Sequence, residues 1–117
     1  MDYTAFIKRF RGRVLLGLPP APLSYLWKSN RTEGRPHIFL DRCPLWLRLF
    51  PLATVHISAA RRYSDTLLWE LSDLAAQNTE KFLSLIPCVP EAYGFVEKHR
   101  EILEASYIIQ TEFGGTL

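Results

Sequence analysis

Cys43, His56, Cys88 and His99 are the residues of this chain whose types could hold a metal ion. Two thiols and two imidazoles are the donor set of a tetrahedral zinc site. Structural zinc sites draw their ligands in closely spaced pairs, whereas here 12, 31 and 10 residues separate successive members. His99 also falls on an apolar helical stripe, where a lone histidine is usually a core residue with one hydrogen-bond partner. No metal or other cofactor is therefore expected. In a reducing compartment two distant thiols read as buried apolar side chains rather than a disulfide.

A nucleophilic site is the second chemistry to weigh. Asp41, Cys43 and His56 would approach one another if neighbouring strands paired, and histidine can activate a thiol. Nothing around them resembles a nucleophile elbow, a phosphate loop or a paired-carboxylate motif. The expectation is a non-enzymatic protein.

Cations and aromatic rings carry the remaining signal. Lys8, Arg9, Arg11 and Arg13 alternate with Phe6 and Phe10, the makeup of a surface that meets phosphates and stacks bases or lipid chains. Arg31 and Arg35 extend the basic set, and Arg61 and Arg62 precede a helix start, where free N–H groups favour an anion. Residues 1–62 carry a net +8 and residues 63–117 a net −6, although the whole chain is only +2. Such a split serves an anionic partner, or is satisfied internally or between subunits of a homo-oligomer. Tyr25, Trp27, Trp46, Arg48 and Phe50 are residue types enriched in binding hot spots.

The leading functional expectation is a small interaction or regulatory protein that binds a protein partner through this aromatic and basic surface. RNA or DNA binding by the basic half is the alternative, and attachment of the first helix to an anionic membrane surface is a third, weaker reading. The leucine-rich, arginine-rich composition, with 10 Arg against 4 Lys in 117 residues, would suit a compact viral accessory protein.

The elements that must position these residues follow from periodicity. Residues 64–86 place Leu67, Leu68, Leu71, Leu74, Ala75, Phe82, Leu85 and Ile86 at three-or-four spacing, which predicts one long helix ended by Pro87. Residues 3–13 predict a basic amphipathic helix, followed by a connector to residue 22 stiffened by Pro19, Pro20 and Pro22. Residues 23–28 and 37–41 have strand-like content around a turn-rich stretch, and so predict a hairpin. Alternation predicts strands over 45–50 and 53–59. Pro90 suits a first helical position, and Ala92, Phe95, Val96, His99, Ile102, Leu103, Ser106 and Tyr107 form that helix's inner stripe. Residues 110–117 are expected to fray.

The fold class expected is α+β in one domain: a basic helix, a small antiparallel sheet of three or four strands, and a two-helix layer. A mainly helical domain is the alternative. A 48% apolar and 13% aromatic composition excludes a disordered chain. The longest uncharged run, 14–27, is broken by Gly17 and three prolines, so no membrane span is expected. No secretory signal is expected either, so the expected compartment is cytoplasmic or nuclear. The sequon Asn30-Arg31-Thr32 has no consequence without secretion.

Overall fold

Val14, Leu15 and Leu16 are consecutive, yet all three are fully buried. A strand can bury every residue only if helices cover both faces of its sheet, which is the situation of a central strand in a parallel sheet. That is the architecture of the computed structural model, which describes residues 11–57, 65–79 and 82–111. The chain runs β1 (Arg11–Leu16), α1 (Pro22–Thr32), β2 (His37–Leu40), α2 (Leu45–Leu49), β3 (Thr54–Ile57), α3 (Asp65–Gln77), β4 (Phe82–Pro87), α4 (Pro90–Lys98), α5 (Arg100–Glu104) and β5 (Ile108–Ile109).

The five strands form one all-parallel sheet in the order β3-β2-β1-β4-β5. Leu15 pairs with Ile38 on one side and Ile86 on the other, and Phe39 pairs with His56. Because side chains alternate across the sheet, two cores result. Leu15, Ile38, Leu40 and Ile86 pack beneath Leu26 of α1 and Leu47 of α2. Val14, Leu16, Phe39, Leu83 and Leu85 pack beneath α3, α4 and α5 through Leu67, Leu71, Leu74, Phe95, Val96 and Leu103. The first two crossovers thus lie on one face and the last two on the other, a doubly wound α/β fold.

This overturns the antiparallel α+β expectation and its mainly helical alternative, for identifiable reasons. Residues 23–28 are helical: Gly17 (φ 92°) turns the chain out of β1, and Pro22 occupies the first helical turn. Residues 45–50 hold the short helix α2 rather than a strand. The long helix expected over 64–86 is two elements, since α3 ends at Gln77 and Phe82–Pro87 is a strand. Phe82, Leu85 and Ile86 fit a helical stripe, but Leu83, Leu85, Ile86 and Pro87 are buried together, as a strand covered on both faces requires. The basic helix expected over 3–13 meets β1 at Arg11, and residues 3–10 lie outside the described residues. The frayed tail lies partly outside them too. Strands at 37–40 and 54–57 stand where the patterns put them, and Pro90 opens a helix as expected, but that helix ends at Lys98, α5 follows as a separate element, and Ile102 and Ser106 of the expected inner stripe are exposed. Among the described residues no helix is long and apolar enough to cross a membrane.

The topology also converts the charge split into geometry. Among the described residues, Lys28, Arg31 and Arg48 of the basic half lie on the helices of one face of the sheet. The acidic half builds the other layer, with Asp65, Glu70, Asp73, Glu91, Glu97, Glu101 and Glu104. Among the described residues the helices of the two faces therefore differ in charge, the second layer carrying these seven acids against Lys98 and Arg100.

Candidate functional site

In α1, one turn separates Leu23 from Trp27 and another separates Leu26 from Asn30. Leu26 and Ser29 face the sheet and are buried, whereas Leu23 and Trp27 face out, Trp27 at 60% exposure. After α2 the chain passes Phe50, 61% exposed, and returns past α1 at half-buried Leu52. Asn30 joins the two segments. Its Nδ2 donates to the Leu26 carbonyl at 2.8 Å and to the Leu52 carbonyl at 2.6 Å, using both amide hydrogens. The result is an apolar groove of about 440 Å³ lined by Leu23, Ser24, Trp27, Phe50 and Leu52.

Trp27 is a ridge with two different sides. Beyond it lies a recess lined by Lys28, Arg31 and Thr32. Among the described residues no ion pair engages Lys28, Arg31 or Arg48. Leu45 and Leu49 of α2 add further exposed apolar surface to this layer. An exposed tryptophan and phenylalanine converging on one groove, with free cations beside them, have the composition of an interface anchor rather than of a core.

A network at the foot of α1 holds this helix on the sheet. Arg13 Nε donates to Glu33 Oε2 at 2.9 Å, and Nη1 donates to the Tyr25 hydroxyl at 2.5 Å. The guanidinium also lies over the Tyr25 ring, 5.6 Å from its centroid. Burial opposes the charge on Arg13, but the bond to Glu33 and the fields of Tyr25 and Glu33 outweigh it, so the guanidinium is held charged more firmly than usual.

A second concavity, of about 430 Å³, lies on the acidic side between edge strand β3 and α3. The sheet order carries α3 from the β3 edge across to β4, which leaves His56, beside buried Phe39, only partly roofed. His56 stacks on Phe39 at 4.7 Å, and its Nε2 lies 3.0 Å from His37 Nδ1. One of these nitrogens donates and the other accepts, so the pair requires at least one neutral ring. Burial pushes the His56 pKa down and favours that neutral form.

Parallel sheets of this order usually bind ligands where the order reverses, here at the carboxyl ends of β1 and β4. This crest is poorly furnished for a phosphate. The Gly17 and Cys88 N–H groups already bond the Phe39 and Leu16 carbonyls. Residues 19, 20, 22 and 90 are prolines without an N–H, and Glu91 opens α4 with a negative charge.

Comparison of the chain with protein-family models, with curated proteins and with solved structures finds no match in any of the three. The residues themselves carry the functional argument.

Of the hot-spot set, the structure brings Trp27 and Phe50 together in the groove and leaves Arg48 exposed on α2. Tyr25 turns inward to Arg13, and Trp46 packs against the core beneath α2. Of the basic set, Arg11 is exposed on β1, Arg31 lies beside Trp27, and Arg35 is exposed before β2. Arg13 is held by Glu33, and Lys8, Arg9, Arg61 and Arg62 lie outside the described residues. The four metal-ligand types do not converge: Cys43 and Cys88 pack with the core under α1 and α2, while His56 and His99 lie on the opposite face. The same division separates Cys43 from His56, so the nucleophile arrangement is not formed. Among the described residues no group of three or more His, Cys, Asp and Glu side chains is placed to hold a metal.

Leu23, Leu52 and Asn30 escaped the sequence reading. Asn30 stood out only as a sequon, yet its amide nitrogen, the atom a glycan would occupy, already makes two hydrogen bonds.

Proposed function

We propose that this chain is a small non-enzymatic interaction protein that docks a protein partner on the groove between α1 and the segment after α2. The observation that carries the reading is the convergence of Trp27 and Phe50, both about 60% exposed, on one groove. Lys28 and Arg31 beside Trp27 favour a partner segment with apolar anchors and acidic flanks, because opposite potentials steer encounter and fix register. A second copy of the chain also offers such acids on its α3–α5 layer, which supports self-association as one form of this activity.

Quantitative capture with wild-type, Trp27→Ala and Phe50→Ala baits tests the proposal. A partner retained by the wild type and by Glu101→Ala on the opposite face, but lost by both aromatic variants, is expected. Identical partner sets for all four baits would defeat it.

The recess beside Trp27 supports nucleic-acid binding as a second reading, since an exposed ring beside two free cations can stack a base and contact phosphate. That reading requires affinity to fall steeply with salt and to drop in Arg31→Ala. Binding that is indifferent to both would remove it.

A further inference from the structure

We infer that the outer face of α3 is a second docking surface whose occupant is the groove of another copy of this chain, so that copies join groove to α3 in an open head-to-tail series. The inference rests on the docking reading of that groove and names its partner. Trp69 on α3 is 73% exposed, more than any other large apolar side chain among the described residues. Asp65 and Asp73 stand four residues to either side of it, and at about 3.6 residues per turn the three share one stripe. Both acids are exposed. Asp65 has a 4.0 Å approach from His99, and no ion pair engages Asp73 among the described residues. From Asp65 to Gln77 the helix holds no Lys or Arg. Tryptophan is mostly buried in folded chains, and one held in water between two acids has the makeup of an interface anchor.

The groove side carries the complementary pattern. Helices α1 and α2 hold Lys28, Arg31 and Arg48 and no acid. Lys28 and Arg31 lie beyond the Trp27 ridge, and Arg48 precedes Phe50 by two residues, so cations flank the apolar groove of about 440 Å³ from both of its walls. An indole suits the lining of Leu23, Trp27, Phe50 and Leu52, while the acids to either side of that indole meet the flanking cations. Burial of the rings supplies most of the attraction, and the charge pairs fix register, speed encounter and are screened by salt. The groove and the α3 stripe lie on opposite faces of the sheet. Two copies therefore cannot satisfy both surfaces of each other, and any pair leaves one groove and one stripe open. Each open surface takes a further copy, so the contact is heterologous and propagates.

Sedimentation velocity of the full chain at rising concentration, in low and in high salt, tests the inference. The mean mass of the wild type should climb continuously with concentration and return towards the monomer in high salt. Trp69→Ala combined with Asp73→Lys removes the stripe and keeps the groove, whereas Trp27→Ala combined with Arg31→Glu does the reverse. All four side chains are exposed, so both variants should keep the circular dichroism of the wild type. Each variant alone should self-associate at least tenfold more weakly, and their equimolar mixture should give a one-to-one dimer that grows no further, because one intact groove meets one intact stripe. A wild type that stays monomeric, a wild-type dimer that does not grow, a mixture that fails to combine, or assembly that persists in either variant would overturn the inference. A monomeric wild type whose groove still captures a different protein, lost in Trp27→Ala and Phe50→Ala, would overturn the second copy as occupant and leave the docking reading standing.

Discussion

Removing the Asn30 amide should loosen the groove more than it unfolds the protein. The side chain makes two hydrogen bonds, to Leu26 O and Leu52 O, and only the second joins separate segments. At about 1 kcal/mol net for each, Asn30→Ala forfeits about 2 kcal/mol. Alanine in a helix interior recovers roughly 0.6 kcal/mol of propensity, leaving a net loss of about 1.5 kcal/mol. For a domain of this size that lowers Tm by roughly 6 °C.

Asn30→Asp has a similar shape but places a carboxylate against two carbonyls. It should cost about 3 kcal/mol at neutral pH, because a charged acceptor is left facing acceptors. Part of that loss should return as pH falls towards about 4, the unfolded aspartate value, because the cost of the charged form raises the folded-state pKa and the protonated acid can donate again. Urea unfolding followed by circular dichroism measures both variants, and hydrogen exchange at the Leu52 and Thr54 amides reads the local opening. A loss below about 0.5 kcal/mol for Asn30→Ala, the range of ordinary surface changes, would refute the reasoning. So would an Asn30→Asp variant no less stable than Asn30→Ala.

Trp27→Ala and Phe50→Ala should each change unfolding free energy by no more than about 0.5 kcal/mol, since both rings are mostly in water already; chemical denaturation checks this. Tyr107→Phe removes the bond from the Tyr107 hydroxyl to the Leu71 carbonyl at 2.5 Å. That carbonyl keeps its intrahelical bond, so the loss should be about 1 kcal/mol, at the low end for a buried group. Burial lowers the His56 pKa, so the unfolded chain binds that proton more readily than the folded one. Stability should therefore fall as pH drops below about 6.5, the unfolded histidine value, and His56→Phe should flatten the dependence of urea midpoint on pH.

How much of this was legible in the sequence depended on period. Residues 37–40 and 54–57 are short, β-branched or aromatic, and flanked by turn formers, so their strands were readable. Their parallel pairing was not, because direction is set by crossovers that the local pattern does not reveal. Treating 23–28 as a strand puts Tyr25 and Trp27 on one face. On a helix the two lie about 200° apart, and the structure turns Tyr25 in to Arg13 and Trp27 out to solvent. Trp46 and Phe50 part for a different reason: the helix ends at Leu49, so Trp46 packs on the core from within α2 while Phe50 lies exposed just beyond it.

The groove was half visible for a related reason. Trp27 and Phe50 stand out by type, but the contact that unites their segments runs from Asn30 to a backbone carbonyl at residue 52. Backbone acceptors leave no mark in the sequence. The charge split was plain from counting, whereas the placement of Lys28, Arg31 and Arg48 opposite the acids of α3, α4 and α5 required the doubly wound topology.

Site-specific photocrosslinking tests the central claim most directly. A photoreactive phenylalanine analogue placed at Ser24, within the groove, is compared with the same residue placed at Glu101 on the acidic face. The groove account predicts a discrete protein adduct from position 24 that disappears with Phe50→Ala, and none of that mass from position 101. Adducts of equal yield from both positions, or an adduct from position 101 alone, would contradict it.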